Sequence, residues 1–106
     1  MVRGDVHAIR LSGRRGHVQR GHRFAVIVQA DELLDLSTVV ICPTSSSTPP
    51  AASFHPQIVV DGEPTRVMCE MVGAVDARAL GARLGYLTLD ETREIEDSLS
   101  LVLELA

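Results

Sequence analysis

Only one stretch of this chain repeats its apolar residues at helical spacing, and it comes last. Leu89, Thr92, Ile95, Leu99, Val102 and Leu103 share one face of a helix expected over residues 89–104. Thr88-Leu89-Asp90-Glu91 opens it as a capping box, in which the Thr88 hydroxyl accepts from the third helical amide and Glu91 reaches back. Asp90, Glu91 and Glu94 suit the positive end of that helix. Whatever precedes it must bury its apolar residues by another periodicity.

That periodicity is the strand's. Asp5-Val6-His7-Ala8-Ile9-Arg10 alternates polar and apolar, as a half-buried strand does. Phe24-Ala25-Val26-Ile27-Val28 is continuously apolar and is expected to be buried on both faces. Thr38-Val39-Val40-Ile41-Cys42 is a second central strand, which Pro43 is expected to end. Gln57-Ile58-Val59-Val60 turns at Asp61-Gly62. Residues 66–75 read as one long apolar strand whose Glu70 must face outward or be paired. Residues 31–35 and 76–80 read as short helical turns, and Gly81 and Gly85 punctuate the stretch between residue 80 and the final helix. Strands succeeded by one helix give a mainly β (α+β) chain, a small antiparallel sheet or barrel packed on a C-terminal α-helix.

A length of 106 residues predicts a single domain over residues 1–106. The 45% hydrophobic fraction supports a globular core, and with Phe24, Phe54 and Tyr86 the only aromatics that core must be aliphatic. No apolar run approaches the roughly 18 residues of a membrane span. The first residues have no signal-peptide character, so a cytoplasmic protein without a membrane partner is expected. Cys42 and Cys69 sit in apolar stretches and read as buried thiols. The sequence shows no phosphate-loop signature and no metal-ligand spacing, so neither a metal nor a cofactor is expected.

The net charge of −4 hides a strong asymmetry. All ten basic residues are arginines, and six of them fall in the first 23 residues against one acid, Asp5. A basic end on an acidic chain can present a phosphate-binding surface, and the planar guanidinium fork matches phosphate oxygens. The plainer alternative is a solvated charged loop.

Two loops border the apolar central strands. One, rich in Gly and Arg, ends Gln19-Arg20-Gly21-His22-Arg23 and leads into residues 24–28; the other begins Pro43-Thr44-Ser45-Ser46 and leaves residues 38–42. If those strands are antiparallel neighbours, Arg23 and Thr44 meet at one rim of the sheet. A fixed cation beside a hydroxyl suits phosphoryl transfer, where negative charge must be stabilised on phosphate oxygens. RNA brings its own nucleophile, the 2′-OH. His17 and His22 lie in the first loop, and an imidazole can exchange a proton near neutrality, which makes them candidates for proton transfer. Arg14, Arg15, Gln19 and Arg20, with Ser45 and Ser46, are the candidate RNA-binding residues. The plainer readings are a strand-end salt bridge for Arg23 and a turn or strand cap for Thr44.

The stretch from Gly16 to Val28 resembles the MazF/PemK pattern Gly-Ser-Glu-Gln-x-Gly-x-Arg-Pro with an apolar strand after it. Arg3-Gly4-Asp5-Val6 is similar to the start of that family, and Val40-Ile41-Cys42-Pro43-Thr44 to its second strand, which ends at a catalytic Thr. The run from Met68 to Leu80 resembles a later strand, with Glu70 at the family's acidic position, and Gly85-Tyr86-Leu87-Thr88 resembles the lead into the final helix. Val18 stands where the family often has Glu, His17 replaces a Ser, Phe24 a Pro, Met71 a Gln and Gly73 a basic residue.

The resemblance implies an SH3-like barrel with a C-terminal helix, acting as a homodimer. It implies a toxin–antitoxin endoribonuclease that cuts single-stranded RNA without metal, leaving 2′,3′-cyclic phosphate and 5′-OH ends. It also implies a cognate antitoxin whose acidic, flexible segment covers the RNA groove. Arg23 and Thr44 carry over as catalytic. A gyrase-poisoning toxin of the CcdB type would share the barrel, but it uses an aromatic residue near a C-terminus that here reads Leu103-Glu104-Leu105-Ala106. A non-catalytic binding barrel is the third reading.

Overall fold

The computed structural model describes residues 1–10, 23–46 and 54–105. Among the described residues, seven strands precede one α-helix: β1 (Asp5–Ile9), β2 (Phe24–Ile27), β3 (Thr38–Ser45), β4 (Gln57–Val60), β5 (Glu63–Val67), β6 (Gly73–Asp76), β7 (Leu80–Tyr86) and α1 (Leu89–Leu103). The pairing is antiparallel throughout, in the order β4-β5-β3-β2-β1-β7, with β6 also on β3. The sheet curls into a half-barrel, as a mainly β barrel-type fold with a C-terminal helix requires. Two register shifts where β1 meets β7 contribute to the curl, because a bulge bends its strand and steepens the twist.

β3 is the strand around which the rest is arranged. One edge pairs with β2 over Ile41–Pro43, and the other pairs first with β6 over Thr38–Ile41 and then with β5 at Thr44–Ser45. Pro43 does not end this strand. Its carbonyl accepts from the Met68 amide at 2.8 Å, so its nitrogen points to the same edge, away from β2. A missing N–H costs little there, because the ladder to β6 has ended and that to β5 has yet to begin.

The long strand expected over residues 66–75 is also divided. β5 ends at Val67, a single 3-10 turn covers Cys69–Met71, and β6 starts at Gly73. Each half meets a different part of β3, so the chain must step between them. The turn at Asp61-Gly62 forms as expected, both residues having positive φ (54° and 78°), the geometry that joins twisted strands through two residues. β7 is a strand the glycines at 81 and 85 obscured; β1 supplies its pairing.

Strand alternation sorts the core into two faces. Val6, Val26, Cys42, Ile58, Val60, Val67 and Cys69 face α1, which contributes Ile95 with Leu99 and Val102 packed beside it. Ala25, Ile27, Val39 and Ile41 face the other way, under Ile9, Leu34, Val75 and Leu80. β2 is therefore covered on both sides, as its unbroken apolar run predicts. Each fully buried aliphatic side chain contributes roughly 1.5–3 kcal/mol. The capping box at Thr88 and Glu91 is present, and Glu91 also accepts the Val59 amide at 3.0 Å, which closes a free donor on the edge strand β4. Among the described residues, no helix is long and apolar enough to cross a membrane.

Candidate functional site

Residues 11–22 separate the end of β1 from the start of β2, and residues 46–56 separate the end of β3 from the start of β4. In an antiparallel sheet those ends share one rim. Arg23 and Thr44 stand on it. The β2–β3 register ends at Ala25 opposite Pro43. Beyond that pair, the Thr44 side chain takes over, its Oγ1 accepting the Phe24 amide at 3.1 Å. The hydroxyl thus does what a strand cap does, and it retains its own proton as a donor.

Thr44 is fully buried, with 0% exposure. It lies opposite Val67, on the face that looks toward α1. Arg23 is half-buried and leaves to the other face, where it lines a cavity of about 200 Å³ with Ile9, Ile41, Pro43 and Val75. The two residues stand close across adjacent strands, and their side chains straddle the rim rather than converge on one side of it. The Arg23 Nε is buried and has no hydrogen-bond partner among the described residues, so the strand-end salt bridge is not what holds this side chain.

Ser45 is buried at 1% exposure, whereas Ser46 is exposed on the rim. Arg14, Arg15, His17, Gln19, Arg20 and His22 lie outside the described residues. Cys42 and Cys69 are both free and fully buried. The hydrogen bond with Cys69 and burial push the Cys42 thiol up, which favours its protonated form.

Two polar constellations escaped the sequence reading. The His55 Nε2 lies 2.9 and 3.0 Å from the two oxygens of Glu70, and the Arg66 guanidinium donates to the His55 carbonyl at 2.8 Å. This accounts for Glu70, which is both exposed at its turn and paired. Asp5, 2% exposed, accepts from the Val2 amide and from the Arg83 Nε, each at 2.9 Å. The signal for either pair was weak, because 15 and 78 residues separate the partners. Among the described residues, no group of three or more His, Cys, Asp or Glu side chains is placed to hold a metal ion.

The model of the PemK-like, MazF-like toxins of type II toxin–antitoxin systems matches residues 2–103. This chain belongs to that family. A provisionally designated toxin of Mycobacterium tuberculosis (strain H37Rv) is 31% identical to it over 107 residues, covering 99% of both chains. Solved structures share its fold at lower identity. A mycobacterial endoribonuclease in complex with its cognate antitoxin superposes with a TM-score of 0.82 at 19% identity, over 100% of this chain and 97% of the other. The MazF of Deinococcus radiodurans gives 0.80 at 18%, over 98% and 96%. The M. tuberculosis toxin MazF-mt6 gives 0.78 at 15%, over 96% and 98%. The half-barrel with its terminal helix is thus the fold of these relatives.

Proposed function

We propose that this toxin is a cytoplasmic, sequence-specific endoribonuclease that cuts single-stranded RNA without a metal ion. The observation that carries the reading is Arg23: a permanent cation whose Nε has no hydrogen-bond partner among the described residues, on the rim where β2 begins and β3 ends, in a chain of this family. In the reaction the 2′-oxygen of the RNA attacks its neighbouring phosphorus. The P–O5′ bond breaks, leaving a 2′,3′-cyclic phosphate and a 5′-OH. The 2′-OH loses one proton and the leaving 5′-oxygen gains one.

Arg23 offsets the charge that builds on the phosphoryl oxygens. An arginine stays protonated, so it serves as charge stabiliser rather than base. Thr44 acts with it: one lone pair holds the Phe24 amide and so fixes the start of β2, and its remaining proton is the donor for a phosphoryl oxygen. Because Thr44 is buried, the substrate must part the rim to reach it. His17 and His22 are the candidates for the two proton transfers. Arg14, Arg15, Gln19 and Arg20, with Ser45 and Ser46, hold the flanking RNA.

The active form is a homodimer, near twice 11.4 kDa in sedimentation at micromolar concentration. Its cognate antitoxin uses an acidic, flexible segment, since carboxylates compete with phosphates for the same arginine forks. Purified toxin incubated with a long RNA, with sequencing of the new ends, tests the reading. Cuts at one recurrent short sequence are expected. Intact RNA overturns it and returns the gyrase-directed or purely binding alternatives.

A further inference from the structure

The cavity beside Arg23 has a composition that phosphate binding alone does not explain. Among the described residues, Arg23 supplies its one charged side chain, and the rest of the described lining is apolar, from Ile9, Ile41, Pro43, Met71 and the first residues of β6. The space exists partly because residue 73 has no side chain. Gly73 pairs with Ile41 and so shares the face of β6 that looks into the cavity. A Cβ built there would meet only the Met71 carbonyl oxygen, at 3.9 Å. Met71 closes the same side with a flexible thioether and is 50% exposed.

β6 adds a main-chain component. The Ala77 amide donates to the Ser37 carbonyl, so in the alternation of an antiparallel pair Val75 and Gly73 also turn toward β3. Ala74 then turns its N–H and C=O to the opposite edge, which no strand among the described residues pairs. The site offers an apolar slot, one donor and one acceptor on the backbone, and a cation at one end. A nucleotide has the matching parts: an apolar base face, an edge carrying donors and acceptors, and an anionic phosphate.

We propose that this cavity is the subsite for the base attached to the phosphate held by Arg23, and that the sizes of residues 71 and 73 select which base enters. The inference rests on the nuclease reading above. Among the described residues the slot has no uncharged polar side chain, so the selection these residues make is by fit more than by side-chain hydrogen bonds.

The test compares cut sites in one long RNA of mixed sequence for wild type, Gly73→Leu, Gly73→Ala and Met71→Ala. Gly73→Leu fills the slot. It should reduce cutting at sites with a purine at one position flanking the cut by about tenfold relative to pyrimidine sites, the discrimination expected of a hydrophobic pocket altered by a few methylene groups. Gly73→Ala should shift the ratio in the same direction by less. Met71→Ala widens the slot and should shift it toward purines, which keeps the test decisive if the Leu variant does not fold. Unchanged site frequencies in the folded variants, or a loss of rate equal for all bases, overturn the subsite and leave the nuclease reading standing. A wild type that cuts no RNA removes both.

Discussion

The Thr44 hydroxyl accepts the Phe24 amide at 3.1 Å, and so fixes the backbone one residue from Arg23. One side chain therefore carries two duties, and substitutions separate them. Thr44→Val keeps the shape but removes the hydrogen bond to the part-buried Phe24 amide, which should cost about 0.5–1.5 kcal/mol of stability. It also removes the donor, so cleavage should slow by roughly 10² to 10³. Thr44→Ser restores both groups and should stay within about tenfold of wild type in rate. Chemical denaturation and single-turnover cleavage on the same samples check this, and a Val variant as active as the Ser variant removes Thr44 from the mechanism.

RNA affinity should depend on salt through the arginine-rich segment of residues 11–22. Each phosphate contact to a single strand adds about −0.7 to the slope of log affinity against log salt. Replacing Arg14, Arg15 and Arg20 together should therefore flatten the slope by about 2 in the same regime, measured by anisotropy on RNA with a 2′-deoxy nucleotide at the cut. An unchanged slope means that the segment is a solvated surface.

Asp5 should shape the acid limb of stability. Burial raises its pKa, but the Val2 amide and the Arg83 guanidinium outweigh burial, and the net value lies below the ordinary 3.8. A carboxylate depressed in the folded state stabilises the fold above its unfolded pKa. That contribution disappears as pH falls from about 4 through the lowered folded value. Asp5→Asn should lower stability near pH 7 by roughly 1.5–3 kcal/mol, the range for a hydrogen bond to a charged group. It should also weaken the acid dependence below pH 4, read from denaturation midpoints across pH. An acid limb identical to wild type assigns that role elsewhere.

The sequence was most legible where one local rule decided the outcome. The Thr88–Glu91 capping box, the Asp61-Gly62 turn and the doubly buried β2 are such places. It was least legible where the partner decided. β7 has no β-branched residue and two glycines, and is a strand because β1 lies beside it. Pro43 stays inside β3 because two different strands share that edge. The same limit applies to the site. Antiparallel neighbours put Arg23 and Thr44 on one rim, but which face each side chain takes depends on register, and register is set by the sheet as a whole. The cavity beside Arg23 was hidden for the same reason, since its lining comes from β1, the residue before β2, β3, β6 and the turn before β6.

The most direct measurement is the chemistry of the RNA ends. Wild-type toxin, free of antitoxin and in excess EDTA, should cut a long single-stranded RNA into fragments with 2′,3′-cyclic phosphate and 5′-OH termini. Arg23→Ala, folded by circular dichroism, should do so about 10² to 10³ times more slowly. Fragments with 5′-phosphate ends, activity that returns only when magnesium is supplied, or an Arg23→Ala variant as fast as wild type would contradict the account.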